Sequence, residues 1–456
     1  MIRSISCSTL LLGAVLAGCV APPEPADLVL LGGKIVTVDP SRPEAEALAA
    51  RDGRIVAVGS DDEVRAWVGD STRVIELAGR LAVPGFIESH GHFTGVGRNR
   101  MVIDLRGATT WDEIVEIVSA AARTTPPGEW IVGWGWHQDK WTSPPEPSVD
   151  GYPLHDSLSR LTPEHPVLLK HAAGGHAGFA NARTLELAGI DETTPDPPGG
   201  QIVRGPNGRA TGLLREAAMA QVNGLFLASR TTEEIARREI EIADEECLSK
   251  GITTFQDAGS RFDVVDRLRA MAEAGEVDVR LWVMLSDAID VDDLVERAAG
   301  YRVIGAADDH FTVRAIKREV DGALGSHTAW LIEPYSDLPD ESGINTTPME
   351  EIERAAEFAI ANDFQLCAHA IGDRSNREML DLYERLFQRR GGKGDRRWRI
   401  EHAQHIHPDD IPRFGQLGIL AAMQGIHCTS DGPWVFKRLG AERAEAGAYV
   451  WRKLLD

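Results

Sequence analysis

Val83-Pro-Gly-Phe-Ile-Glu-Ser-His90-Gly-His92-Phe93 is a short apolar strand that runs straight into two imidazoles. Side chains alternate along an extended chain, so residues two apart project to the same side. His90 and His92 therefore share one face where the strand ends. Neutral imidazole nitrogen is a good ligand for zinc and for metals of similar softness. An isolated His-x-His arises in any histidine-bearing loop, so the weight of this pair depends on its surroundings.

Those surroundings are rhythmic. Apolar strand candidates at 83–87, 252–255, 279–285, 311–317, 365–369, 398–402 and 419–424 alternate with periodic helices at 232–251, 263–275, 290–299, 349–363, 376–389 and 408–417. Strand–helix alternation points to parallel βα units, and seven strands at nearly regular spacing favour an α/β fold of the TIM-like (β/α) barrel type over an open sheet. No G-x-G-x-x-G opens a helix and no Walker motif occurs, which counts against nucleotide-binding folds. A long stretch from about 97 to 250 breaks the rhythm and reads as a large insertion after the first barrel strand. Ahead of the barrel, residues 27–84 read as a small β module, with Gly32-Gly33 and Asp52-Gly53 as turn signals.

The same residue type recurs at later strand ends. Cys367-Ala-His369 and Arg399-Ile-Glu401-His402 each close a strand with a histidine. Phe311, Val313, Ala315 and Lys317 share one parity, so the lysine continues an inward apolar face; a solvated lysine among Arg314, Arg318 and Glu319 is the plainer alternative. Barrel active sites lie at the C-terminal ends of the strands. Four histidines converging on one such mouth are hard to explain by packing, because desolvating several imidazoles without a metal or counter-charge is costly.

Composition narrows the class of function. The chain has 456 residues, 43% hydrophobic and 26% charged, which is globular. Lys and Arg number 48 against 70 Asp and Glu, a net charge of -22; a nucleic-acid partner would need a basic face. Residues 1–18, MIRSISCSTLLLGAVLAG, read as a signal peptide, with one charge at Arg3 and an apolar run too short to span a bilayer. Leu16-Ala17-Gly18-Cys19 resembles a bacterial lipoprotein signal, so Cys19 is expected to carry lipid and residues 19–26 to form a Pro-rich tether. That predicts an exported, lipid-anchored protein on the periplasmic side or cell envelope, at the outer membrane where one exists. Cys247, Cys367 and Cys428 are too few and too far apart for a disulfide framework.

Taken together, GRIVAVGS, PGFIESHGHF, GWGWHQDKW, HAAGGHAGFANARTLELAGI, GITTFQDAG, VDGALGSHTAWLIEPYSD, HAIGDRSNREMLD and RIEHAQHIHPDDIPRFGQLGILAAMQGIH resemble the amidohydrolase superfamily. Within it they resemble the amidohydrolase family 3 group of metal-dependent hydrolases, from Asp27 to the last residue. The resemblance implies His90, His92, His369 and His402 as metal ligands, with Lys317 bridging two metals once carboxylated. It implies one or two divalent ions, zinc first, and a metal-activated water acting on non-peptide, amide-type C–N bonds of a small organic substrate. Ester or lactone hydrolysis uses the same chemistry and stays open, as does a homo-oligomer.

Further candidates are weaker. Trp134, Trp136, His137, Asp139 and Trp141 either line a substrate pocket or pack the core of the insertion. Trp136, His137, His176, Asp321 and Asp431 are carried forward as substrate contacts, and Asp373 as an outer partner of His369. The family pattern also contains an eighth strand with a proton-accepting Asp, then the second half of a β-sandwich begun by residues 27–84. Neither occurs by residue 456, so the expectation is a chain truncated before barrel strand 8, or, alternatively, a non-catalytic binding module.

Overall fold

The computed structural model describes residues 23–149, 151–172, 177–197, 200–229, 232–325 and 327–456. The chain folds as two compact units that divide between Gly85 and Phe86. The first contains a four-stranded sheet in the order 54–59, 47–51, 28–31, 73–76 and a three-stranded sheet in the order 44–45, 34–36, 81–82. Asp52 and Gly53, both at positive φ, make the two-residue turn between Ala47–Arg51 and Arg54–Gly59. That turn geometry matches the twist of the strands it joins. Val29, Leu31, Ala47, Ala49 and Val64 form the small core of this unit.

The second unit holds the barrel. Its strands are β1 (Phe86–Gly91), β2 (Ile252–Ser260), β3 (Arg280–Leu285), β4 (Phe311–Glu319), β5 (Gln365–Ala370), β6 (Arg399–His402) and β7 (Leu420–Ala422). Each pairs in parallel with the next, in sequence order. Among the described residues no ladder joins β1 to β7. Phe86 and Ile87 on the outer strand are accordingly 58% and 63% exposed.

Helices α1 (Phe93–Arg100), α2 (Glu233–Ser249), α3 (Phe262–Glu273), α4 (Val291–Arg297), α5 (Met349–Ala361), α6 (Asp373–Arg389), α7 (Ile411–Leu417) and α8 (Gly425–Gly447) complete the framework. The apolar faces of α1 to α7 meet the sheet in one core that includes Val265, Leu268, Val283, Val313, Ile352, Leu366, Leu382 and Ile400, whereas α8 packs through Val435, Leu439 and Ala444 in a separate cluster with Leu324, Leu331 and Tyr335. Gly97 lets α1 lie against α2, since a Cβ there would stand 1.7 Å from the Glu239 carbonyl oxygen. No helix among the described residues is long and apolar enough to cross a membrane.

The sequence-based strands coincide with these seven, with shifted ends. The first begins at Phe86 rather than Val83, because Pro84 lacks an N–H for the ladder. Between β1 and β2 the insertion builds its own six-stranded sheet, in the order 200–204, 210–216, 177–180, 167–171, 131–136, 103–104. It carries two cores of its own, around Leu169, Phe179 and Leu213 on one side and Leu168, Val222 and Phe226 on the other.

Candidate metal centre

Parallel strands bring their C-terminal ends to one mouth, and β1, β5 and β6 each deliver histidine there. His90 lies on β1 and His92 occupies the residue just before α1. The rings form a chain of neighbours: 6.1 Å between the centroids of His92 and His90, 4.6 Å from His90 to His402, and 4.6 Å from His402 to His369. Four residues separated by up to several hundred positions thus share one small volume.

Three of the rings are held by one nitrogen. His90 Nδ1 lies 2.5 Å from Glu401 Oε2, and His402 Nδ1 lies 2.7 Å from Gln424 Oε1. Gln424 gives its own amide N–H to the Ala422 carbonyl, which turns its oxygen toward His402. His369 Nε2 is 3.4 Å from the Gly322 carbonyl and 3.6 Å from Asp321 Oδ1. An imidazole nitrogen facing an oxygen acceptor carries the proton, so the lone pair sits on the opposite nitrogen. That leaves Nε2 of His90 and His402, and Nδ1 of His369, as the donor atoms.

Electrostatics act in the same direction. Burial, followed by the charge of Lys317, pushes the pKa of His369 down to about 3. Burial, then His369, His90 and Lys317, hold His402 well below its ordinary value. Neutral imidazole is the form that binds metal. Lys317 is 5% exposed on β4, where the parity of its strand leads it inward. Glu319, two residues on, is pushed up to about 6 by its burial and by the neighbouring Asp287.

Clustered imidazoles beside a buried lysine are side-chain types that bind divalent cations. Among the described residues, no group of three or more His, Cys, Asp or Glu side chains is arranged to hold a metal ion.

Other expected site residues fall elsewhere. Trp136 is 1% exposed, donates its indole N–H to the Leu169 carbonyl at 2.8 Å and stacks on Trp141, so it belongs to the core of the insertion and does not line a pocket. His137 is half-buried with its ring 4.5 Å from that of His171. Asp321 is fully buried and accepts from the N–H groups of Trp330, Ile371 and Gly372 and from the Ser375 hydroxyl, at 2.8 to 2.9 Å. With both oxygens so engaged it braces the loop beneath His369 in place of contacting a substrate. Burial pushes its carboxyl up to about 7. Asp373 accepts from Ile332 N–H at 2.9 Å, so the outer partners of His369 are Gly322 and Asp321 instead.

Asp431, on α8, accepts from Gln404 Nε2 at 2.8 Å and lies 3.9 Å from His427 Nδ1. The His427 ring is 5.2 Å from that of His402, which puts Asp431 one side chain behind the cluster. His176 and Cys19 lie outside the described residues.

Three contributors were not singled out from the sequence. Glu401 and Gln424 are the acceptors just described. Asp257, buried on β2, accepts from Phe93 N–H at 2.8 Å and Ser260 Oγ at 2.7 Å, which pins the first turn of α1 behind His92. The available signal for Glu401 was its place beside His402, but strict alternation sends neighbours to opposite faces. His402 escapes alternation because its φ is 71°, and Ala403 follows at 42°. Such values are uncommon away from glycine and mark a backbone held by its surroundings.

The model of the amidohydrolase family (Amidohydro_3) matches residues 73–456. Protein LONG AFTER FAR-RED 3 of Arabidopsis thaliana is 33% identical over 449 residues, covering 94% of this chain and 73% of that protein. N-substituted formamide deformylase of Arthrobacter pascens is 28% identical over 412 residues, covering 88% of this chain and 73% of the relative. Among solved structures, an uncharacterized metal-dependent hydrolase from Pyrococcus horikoshii OT3 superposes with a TM-score of 0.76 at 25% identity. That match covers 94% of this chain and 80% of the other.

Proposed function

The chain belongs to the amidohydrolase family, and from that premise we propose that it is a metal-dependent hydrolase of amide-type, non-peptide C–N bonds in a small organic molecule. The observation that carries the proposal is the gathering of His90, His92, His369 and His402, three of them with one ring nitrogen already engaged. These four residues would hold a divalent ion, zinc first, and a carboxylated Lys317 would bridge to a second. Once bound, the metal supplies Lewis acidity that polarises a carbonyl and activates water at neutral pH.

The protein's own residues do the rest. Glu401 and Gln424 orient the imidazoles of His90 and His402, and Asp321 holds the loop that orients His369. His427, its ring 5.2 Å from that of His402 and its Nδ1 3.9 Å from Asp431, would be the residue that moves a proton at the leaving nitrogen. The name of the Arthrobacter relative supports beginning with formamides. The test is a panel of matched formamide, acetamide, carbamate and ester substrates with the zinc-loaded protein. Amide-type turnover that a chelator removes and Zn2+ restores is expected. Stoichiometric zinc without turnover of any member would favour a binding module, and faster ester cleavage an esterase.

The proposal includes an address. Lipid on Cys19 would tether the hydrolase to the cell envelope, and metabolic labelling with a fatty acid should mark the wild type and miss Cys19→Ser.

A further inference from the structure

Among the described residues, β1 is an outer strand of the barrel sheet, paired only with β2, and the ladder between them shifts register twice. The sheet therefore does little to place His90 relative to His402, which lies on β6, five pairings away. Something else must bridge the lumen. Arg399, also on β6, donates from Nη2 to the Ser89 carbonyl on β1 at 2.8 Å and to Glu401 Oε2 at 2.8 Å. Its Nη1 donates to Gln256 on β2, and its guanidinium lies 5.5 Å from the ring of Trp282 on β3. Arg399 Nε and Glu401 Oε1 are 2.6 Å apart, though not aligned as a hydrogen bond. The side chains of Arg399, Glu401 and His90 are 7%, 0% and 8% exposed, so the relay is shielded from water.

We infer that Glu401, gripped by Arg399, is a positioning residue that locks His90 with its proton on Nδ1 and its Nε2 lone pair facing the mouth. The inference rests on the metal reading above. Arg399 donates to Glu401 from one side, and the same carboxylate oxygen accepts from His90 Nδ1 on the other. A metal-ligating imidazole anchored in this way through its other nitrogen has a fixed tautomer and a more basic donor atom. Because Arg399 also holds Ser89, the same relay carries the end of β1 to β6 where no strand ladder does so.

A plain core ion pair would change stability alone, so the test reads tautomer and metal affinity. In the metal-free wild type, imidazole 15N NMR should show His90 protonated at Nδ1. His90 protonated at Nε2 would overturn the inference without any variant. Zn2+ affinity, measured by competition with a chromophoric chelator, should fall about 10- to 100-fold in Glu401→Gln. That variant strands the charge of Arg399 and can fail to fold, so the double variant Arg399→Met/Glu401→Gln is measured beside it. Removing both charges of a buried pair often leaves stability nearly unchanged. A folded double variant that keeps wild-type zinc affinity and the wild-type tautomer would sink the inference. Failure of the wild type itself to bind Zn2+ would instead sink the metal reading, and this inference with it.

Discussion

The barrel mouth gathers imidazole rings and the inserted sheet gathers indole rings, and the two regions use them differently. At the mouth, His90 and His402 approach to 4.6 Å with one nitrogen of each on an oxygen acceptor and the other left as a donor. In the insertion, Trp136 and Trp141 stack at 5.9 Å, and the indole N–H of Trp136 is satisfied inside the core. Proximity of rings is common to both. What separates the two is the kind of atom left over: imidazole nitrogens with a lone pair at the mouth, against the buried indole N–H of Trp141 in the insertion, which can only donate.

That contrast can be broken by experiment. The largest effect is expected from His402→Ala, which removes a ligand. Turnover should drop by about 10³-fold or more, because a Lewis acid contributes several kcal/mol, while the insertion keeps its structure. Steady-state rates with zinc present would measure it. Trp136→Ala should do the reverse, costing about 3–5 kcal/mol in a denaturant titration as a buried ring is lost, with zinc stoichiometry unchanged. Zinc loss in that variant would mean that the two regions are not independent.

Subtler variants sharpen the comparison. Gln424→Leu takes away the acceptor of His402 Nδ1 and should weaken zinc binding by about 10- to 100-fold without abolishing it, read by chelator competition. The smallest effect is expected at the exposed Asp104–Arg106 pair of the insertion. Arg106→Ala should leave the melting temperature close to that of wild type, because exposed ion pairs are screened by solvent, and thermal melting of the two proteins would show it.

Much of the architecture was legible along the chain. Apolar runs alternating with helical periods marked all seven barrel strands, and histidines at three strand ends marked the mouth. The parity of Phe311, Val313, Ala315 and Lys317 led the lysine inward, where it is buried. Trp136 was not legible, because alternation says only that a side chain shares a face with its second neighbours. It does not say whether that face meets a cavity or another layer of side chains. Asp321 misled for a similar reason: a carboxylate beside glycines looks available for a ligand, yet three backbone N–H groups and one hydroxyl close over it.

Local periodicity depends only on backbone geometry, so the strands, the helices and the side on which His90 and His92 emerge were determined by sequence alone. Which nitrogen each ring keeps was decided by partners far along the chain. Glu401 lies 311 residues from His90, and Gln424 lies 22 from His402. Hydrogen bonds act over about 3 Å, so a tautomer is set only once folding has brought its acceptor into reach. The left-handed turn at His402, which lets two adjacent residues face the same lumen, is likewise a product of the packed barrel and not of the alternation that precedes it.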